Sequence, residues 1–332
     1  MDTTPTRCLV TGGAGFIGSH VAQRLLALGH QVRILDNLST GSQGNVAAVG
    51  PTAEVIEGDV QDPATCARAV DGIEVIFHLA ALGSVPRSIR DSWGSHDANV
   101  NGTLRLLEAA RHGGARRVVY SSSSSVYGDT PTLPKIETME PLCRSPYAAG
   151  KLAGEQYTLA YARGGLLEGV ALRYFNVFGP RQSPSGAYAA VIPLWMQAAI
   201  DGGVARVNGD GGQTRDFTYV DNVVDANLRA AFGDAARVNG QVVNVGAGGR
   251  TSLLELATRI RDVSGARFAI EHVPPREGDV RDSLASLERA HAVLGYTPAV
   301  SLDEGLRRTW TWFAGQAGAP AATSAVASAR GR

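Results

Sequence analysis

Short apolar runs alternate with helical patterns through the first half of this 332-residue chain. Arg7 to Thr11 reads as a strand, Ile17 to Leu28 as an amphipathic helix, and Gln31 to Asp36 as a second strand. Val55 to Glu57, Val75 to Leu79, Val118 to Ser121 and Gly169 to Arg173 continue the strand series. Helical segments lie between them, at Asp62 to Val70, Asn99 to Arg111 and Tyr147 to Tyr161. Alternation of this kind predicts an α/β fold with a doubly wound parallel sheet and right-handed crossovers. A ligand of such a sheet lies beyond the carboxyl ends of its strands.

After about residue 176 the pattern loosens, with loops near 179–186, 208–214 and 274–282 and helices near 191–200, 221–231 and 252–263. The expected organisation is a dinucleotide-binding domain over 1–176, joined by returning segments near 215–248, with a smaller interleaved α/β lobe formed mainly by 177–314. The last stretch, 315–332, is rich in Ala, Gly and Ser, carries no aromatic residue and is expected to be a disordered tail. No internal repeat is visible.

Composition narrows the partners. The 31 basic residues balance the 31 acidic ones, so no overall field favours nucleic acid or an anionic membrane. An anionic ligand must then be held by a few placed arginines and by helix N-termini. Cys8, Cys66 and Cys143 form no CxxC pair and read as reduced packing residues. No apolar run approaches the roughly 18 residues of a spanning helix, and MDTTPTR has no apolar signal core. A soluble, cytoplasmic protein without a metal is expected.

The chemistry sits in two distant places. Gly12, Gly15 and Gly18 follow the first strand and open the first helix, the context that gives a glycine motif meaning. Gly12 permits the tight turn, Gly15 lets backbone approach a pyrophosphate, and Gly18 lets helix and strand pack closely. The GxxGxxG spacing favours the short-chain dehydrogenase type of Rossmann fold. Asp36, at the end of the second strand, suits the adenosine ribose hydroxyls and repels a 2′-phosphate, which selects NAD over NADP. Asp59 and Val60 follow a strand where an adenine amino group can be accepted, and Leu79, Ala80 and Ala81 offer close approach. His78 reads as a packed core histidine.

Far downstream, Tyr147 and Lys151 stand four residues apart on one helix face, after the serine run Ser121 to Ser125. A free tyrosine titrates near 10, and a neighbouring ammonium favours its phenolate. Ser123 is the expected hydroxyl that shares the proton with a substrate.

With TGGAGFIGSH, DNLSTG, HLAALGSVPRS, NVNGT, SSSSSVYGD, SPYAAGK, RYFNVFGPRQSPSGAYAAVIP, NGDGGQTRDFTYVDN and REGDVRDS, the chain resembles an extended short-chain dehydrogenase/reductase. More narrowly it resembles the nucleotide-sugar 4-epimerases of the UDP-galactose 4-epimerase family, over about Arg7 to Phe313. The resemblance implies that Ser123, Tyr147 and Lys151 are catalytic, that NAD stays bound through turnover and that UDP lies in the smaller lobe. It extends the cofactor set to Phe16, Ile17, Asn37, Ser39, Thr40, Gly41, Asn99 and Phe175. It places Gly83, Ser84, Ser124, Asn176, Gln182, Val191, Asn208, Asp279 and Ser283 against the UDP-sugar. Arg215 and Arg276, in loop-like segments, can pair with its two phosphates.

The likeness is greatest to the UDP-N-acetylglucosamine 4-epimerases, a subgroup that shares Asn208 where other members stack an aromatic residue on uracil. Position 283 flanks the C2 substituent in the family; a tyrosine there restricts the pocket to a hydroxyl, whereas Ser283 leaves space for an N-acetyl group. A small residue admits the larger substrate without excluding the smaller, so UDP-Glc and UDP-Gal stay open. A UDP-uronic acid 4-epimerase is a rival, weakened by Ser183 where that branch often has a second arginine. Dehydratases of this fold commonly carry an Asp-Glu pair where Ser124 and Ser125 stand, which disfavours dehydration; a 4-keto reductase and a NAD-binding regulator without chemistry are the remaining alternatives. A homodimer is expected by analogy with the fold.

Overall fold

The computed structural model describes residues 4–185, 189–274 and 280–318. The expected site residues Arg276 and Asp279 therefore lie outside the described residues, as do 319–332 of the expected tail. Seven parallel strands form the central sheet: β1 (Arg7–Thr11), β2 (Gln31–Asp36), β3 (Glu54–Glu57), β4 (Val75–His78), β5 (Arg117–Ser123), β6 (Glu168–Tyr174) and a seventh over Gln241–Val245. Their spatial order is Gln241–Val245, β6, β5, β4, β1, β2, β3. The chain winds outward from β1 in one direction and returns to β4 to wind in the other. A crevice at the carboxyl ends of β1 and β4 follows from that reversal.

These strands read as apolar runs because both sheet faces are covered. Alternate side chains serve opposite layers. Leu9, Leu35, Ile76 and Val118 pack with Cys66, Leu106 and Leu107 from the helices Pro63–Val70 and Gly102–His112. Val10, Ile34, Phe77 and Val119 pack with Val21 and Leu25 of α1 (Phe16–Ala27) and with Val223 of the helix Val220–Phe232. Full burial of each such side chain contributes roughly 1.5–3 kcal/mol, enough together to fix which face each helix covers.

The later chain contributes helices Val191–Asp201, Leu253–Ser264 and Leu302–Ala317, which pack on one another, and a parallel strand pair of Val204–Asn208 with Ala269–Val273. The helix Val220–Phe232 and the strand Gln241–Val245 return to the main sheet. One boundary moves: Gly315 to Ala317 continue the last helix and do not begin a tail. Its apolar stripe, with Leu306 and Phe313 buried, carries it past the last aromatic residue. Among the described residues, no helix is long and apolar enough to cross a membrane.

Candidate active site

The turn after β1 is built from backbone alone. Gly12 has φ +69°, and a Cβ there would lie 2.7 Å from the Ala80 nitrogen at the end of β4; a Cβ on Gly18 would lie 2.2 Å from the Gly12 oxygen. Any side chain at either position would force apart β1, β4 and α1. The α1 N-cap, Gly15, offers no side-chain cap, so the free N–H groups of its first turn stay available to an anion. By contrast the helix Pro146–Arg163 is capped by Ser145, whose hydroxyl accepts from the Ala148 N–H at 3.1 Å.

Around this turn opens a cleft of about 1700 Å³. Gly12, Gly15, Phe16, Ile17, Gly18, Asp36, Asn37, Ser39, Thr40, Gly41, Asp59, Val60, Leu79, Ala80 and Ala81 all line it, as do Gly83, Ser84, Tyr147, Asn176 and Gln182. The Asp36 carboxylate accepts from the backbone N–H groups of Ala14 at 2.9 Å and Leu38 at 2.8 Å, which fixes it at the crevice edge with lone pairs to spare. Asp59 is held in turn by the Gln61 N–H at 2.8 Å and the Asn37 amide at 2.7 Å.

A second cleft of about 460 Å³ shares Ile17, Leu79, Ala81, Gly83, Val85, Ser121, Tyr147, Asn176 and Val177 with the first, so the two are continuous. It adds Ser122 to Ser125, Lys151, Arg215 and Ser283. The catalytic candidates meet here. Ser123 ends β5 and Tyr147 opens the helix Pro146–Arg163, with a hydrogen bond between their hydroxyls. The Ser123 Oγ accepts from both the Ser125 N–H at 3.2 Å and the Ser125 hydroxyl at 2.9 Å. With two donors already on that oxygen, the Ser123 proton is left to donate to the Tyr147 oxygen.

Burial raises the Tyr147 phenol above its usual range, and the Ser123 hydrogen bond opposes that rise. Burial pushes Lys151 from 10.5 down to about 7, while its ammonium lies 5.0 Å from the centre of the Tyr120 ring. Both groups are thus costly in their charged forms. An opposite charge beside either group would offset part of that cost.

His78 is occupied, as its sequence context indicates. The Thr103 hydroxyl donates to the Asn99 carbonyl at 2.7 Å and accepts from His78 Nε2 at 2.9 Å, so His78 Nδ1 accepts from the Thr11 hydroxyl at 2.7 Å. Thr11 accepts from the Ala80 N–H at 3.2 Å. Desolvation, with Lys151 nearby, lowers His78 to about 3, so it stays neutral. Asn99 lines neither cleft; it grips the backbone of Leu82, accepting its N–H at 2.8 Å. The chain from Thr11 to Asn99 therefore clamps the 80–82 segment from behind.

Three other expected contacts also lie off the clefts. Phe175 is buried among Val126, Tyr127 and Ala285, and Val191 begins a helix against the core. Asn208 ends a strand, and its carbonyl accepts from the Gln213 amide at 2.6 Å. In the other direction, Ser125, Arg181, Trp312 and Gln316 line the clefts without having been expected among the binding or catalytic residues. Arg181 lines the larger cleft; it donates to His20 Nε2 at 3.2 Å and to Gln23 Oε1 at 2.9 Å, and its Nη1 is buried with no hydrogen-bond partner among the described residues. Proximity to the RYFNVFGPR run was the available signal. Trp312 and Gln316 reach the cleft from the C-terminal helix, which no local motif announces.

The sequence profile of the "NAD dependent epimerase/dehydratase family" matches residues 8–246. The chain belongs to that family. It is 46% identical over 311 residues to a protein of Mycolicibacterium smegmatis named UDP-glucose 4-epimerase, covering 92% of this chain and 98% of that one. A crystal structure of UDP-glucose 4-epimerase from Thermotoga maritima with UDP-glucose superposes with TM-score 0.89 at 36% identity, covering 94% of this chain and 99% of that one. UDP-N-acetylglucosamine 4-epimerase from Methanobrevibacter ruminantium, solved with UDP-N-acetylmuramic acid, gives TM-score 0.88 at 36% identity, with coverage of 94% and 99%. As a member of a NAD dependent family the protein uses NAD. The cleft fits it: an uncapped helix N-terminus, glycines where a Cβ would collide, a carboxylate at the β2 end and a buried donor on Arg181 with no partner among the described residues.

Two expectations follow. Protein purified without added nucleotide and then denatured should release NAD(H), because Asp36 would repel a 2′-phosphate; recovery of NADP(H) would contradict that role. The second concerns Lys151, which titrates near 7 folded against 10.5 unfolded. Below about pH 7 both states carry the proton and the desolvation cost is present in full; it is relieved as pH rises from 7 to 10.5. Lys151→Met should therefore raise Tm relative to wild type more at about pH 6 than at about pH 10. Calorimetry showing the same difference at both pH values would remove the desolvated ammonium from the account.

Proposed function

We propose that this protein is a reversible 4-epimerase of UDP-hexoses that accepts UDP-GlcNAc and UDP-GalNAc, and also UDP-Glc and UDP-Gal. The observation that carries the reading is the meeting of Ser123, Tyr147 and Lys151 at the junction of the two clefts, with hydroxyls and no carboxylate at 124 and 125. The epimerase names of the three relatives described above support the class of reaction. Bound NAD supplies a hydride acceptor and donor for C4 of the sugar.

In this reading Tyr147, as phenolate, takes the proton of the 4-hydroxyl, directly or through Ser123. Ser125 keeps the Ser123 proton directed toward that exchange. Lys151 balances the charge on Tyr147 at each protonation change. The same phenol returns the proton once the 4-keto sugar has turned over, so the residues end as they began and net redox is zero. The expected roles of Gly83, Ser84, Ser124, Asn176, Gln182 and Arg215 in holding the UDP-sugar are consistent with their places along the cleft walls.

Dehydration needs a base for C5. Among the described residues of the smaller cleft the one carboxylate is Asp282, and it is tied to the Thr214 hydroxyl and to Arg250 at 3.1 Å. That favours epimerisation over water loss. Ser283 is buried, with its N–H on the Thr214 carbonyl at 3.1 Å, and it lines the same cleft as Ser124 with a short side chain that would leave room for a bulky C2 substituent.

The direct test incubates the protein with a panel of UDP-sugars, uronates included, without added NAD, and follows C4 by NMR. Inversion at C4 is the expected result, and loss of water or gain of two hydrogens would replace the reading. In the same assay Tyr147→Phe should lose about 10²–10⁴-fold in turnover while still binding UDP-sugar, the usual weight of general acid–base catalysis. Ser283→Tyr should cut kcat/KM for the two N-acetyl sugars by roughly 5–150-fold, the effect of about 1–3 kcal/mol of overpacking, and spare UDP-Glc and UDP-Gal. Equal losses on both classes would mean that residue 283 does not sense C2.

A further inference from the structure

The reactive hydroxyls sit on two different elements, and their spacing depends on how those elements are locked. Tyr147 and Lys151 belong to the helix Pro146–Arg163, and Ser123 to β5. Where the helix crosses β5 near Tyr120 its buried position is Gly154, while Leu159 packs on Tyr120 and Ala171 farther along. A Cβ on Gly154 would lie 2.3 Å from the Tyr120 hydroxyl, so helix and strand pack almost backbone to side chain. Small residues allow close approach but leave sliding and rotation weakly opposed.

A polar clamp fills that need. Glu155 lies one helical turn beyond Lys151 and two beyond Tyr147, on the same stripe. Ser122, the residue before Ser123, donates its hydroxyl to Glu155 Oε2 at 2.7 Å. Arg173 of β6 donates from Nε to the same oxygen at 2.9 Å and from Nη2 to Oε1 at 2.6 Å. Glu155 is 0% exposed and Arg173 3%. The Arg173 guanidinium lies 4.7 Å from the centre of the Tyr127 ring, and Tyr127 donates to Asn244 of the seventh strand at 2.7 Å. Tyr120 of β5 adds a bond to the Lys151 carbonyl at 3.2 Å.

We propose that Glu155 is a positioning residue, fixed by Ser122 and Arg173, that sets the register between the strand carrying Ser123 and the helix carrying Tyr147 and Lys151. This rests on the reading of those three as the reactive groups. A buried ion pair is a poor source of net stability, because desolvation offsets most of its attraction. Its geometric effect is larger: two directed bonds and a bidentate fork admit one helix position, and a misplacement of about 1 Å at a reacting group can cost on the order of 10²-fold in rate.

The test separates register from stability. Ser122→Ala removes one hydroxyl and leaves the Glu155–Arg173 pair intact; kcat should fall about tenfold or more, with KM within about twofold and Tm close to wild type. Glu155→Gln strands Arg173 and should lower kcat and Tm together. The double variant Glu155→Leu with Arg173→Met removes both charges; Tm should recover toward wild type while kcat stays low. Recovery of kcat along with Tm, or an unchanged kcat in Ser122→Ala, would falsify the proposal. Crystal structures of wild type and Ser122→Ala give a second readout that needs no sugar. The Tyr147 Oη to Ser123 Oγ separation should differ between them, and an unchanged separation would overturn the inference even if the UDP-sugar reading stood. Failure of wild type to turn over any UDP-sugar would sink that reading alone.

Discussion

Everything at this site depends on how closely the backbone after β1 can approach the backbone after β4. Those strands part at the reversal of the sheet order, and the space between their carboxyl ends is the floor of the larger cleft. Gly12 meets Ala80 at a distance no side chain tolerates. On the far side of the same segment, Thr11, His78, Thr103 and Asn99 pull the 80–82 backbone into place through a chain of hydrogen bonds. Steric permission from the front and hydrogen bonding from behind define one surface. His78, the residue that looks most like a catalytic base, is spent on that geometry.

The central sheet and the meeting of Ser123, Tyr147 and Lys151 along one cleft were legible in the sequence for one shared reason. A parallel strand buried on both faces must be apolar throughout, and a glycine turn or a Tyr-x-x-x-Lys pair declares its conformation within a few residues. What was hard to read depends on long-range pairing. The strand Gln241–Val245 joins the sheet beside β6 through partners some seventy residues away, Val245 opposite Tyr174, and its five residues carry no turn signal of their own. The cleft contribution of Trp312 and Gln316 depends on where the last helix docks, which local pattern does not specify. Asn99, which family likeness puts on the cofactor, has its side chain engaged with Leu82 and Ser95.

Sequence spacing also suggested that Lys151 simply favours the Tyr147 phenolate. Burial makes the relation more symmetrical. A lysine brought down to about 7 is itself reluctant to carry charge, and a buried phenol is reluctant to lose its proton. Burial thus works against charge on both groups, and the Ser123 hydrogen bond is the contact that favours the Tyr147 phenolate.

The serine-rich wall of the smaller cleft bears on selectivity in the same physical language. Ser123, Ser124, Ser125 and Ser283 are short, neutral and able both to donate and to accept, so on the proposed reading they would bind sugar oxygens without dictating which substituent each carbon bears. Discrimination against a smaller group needs a partner left unsatisfied, and discrimination against a larger one needs bulk. This wall supplies neither at position 283. On the proposed epimerase reading, a carboxylate at 124 or 125 would add a base and with it a second reaction channel, whereas a hydroxyl would leave the chemistry at C4. Breadth in sugar and restraint in chemistry would then have one source, serine in place of charged or bulky side chains around Ser123, Tyr147 and Lys151.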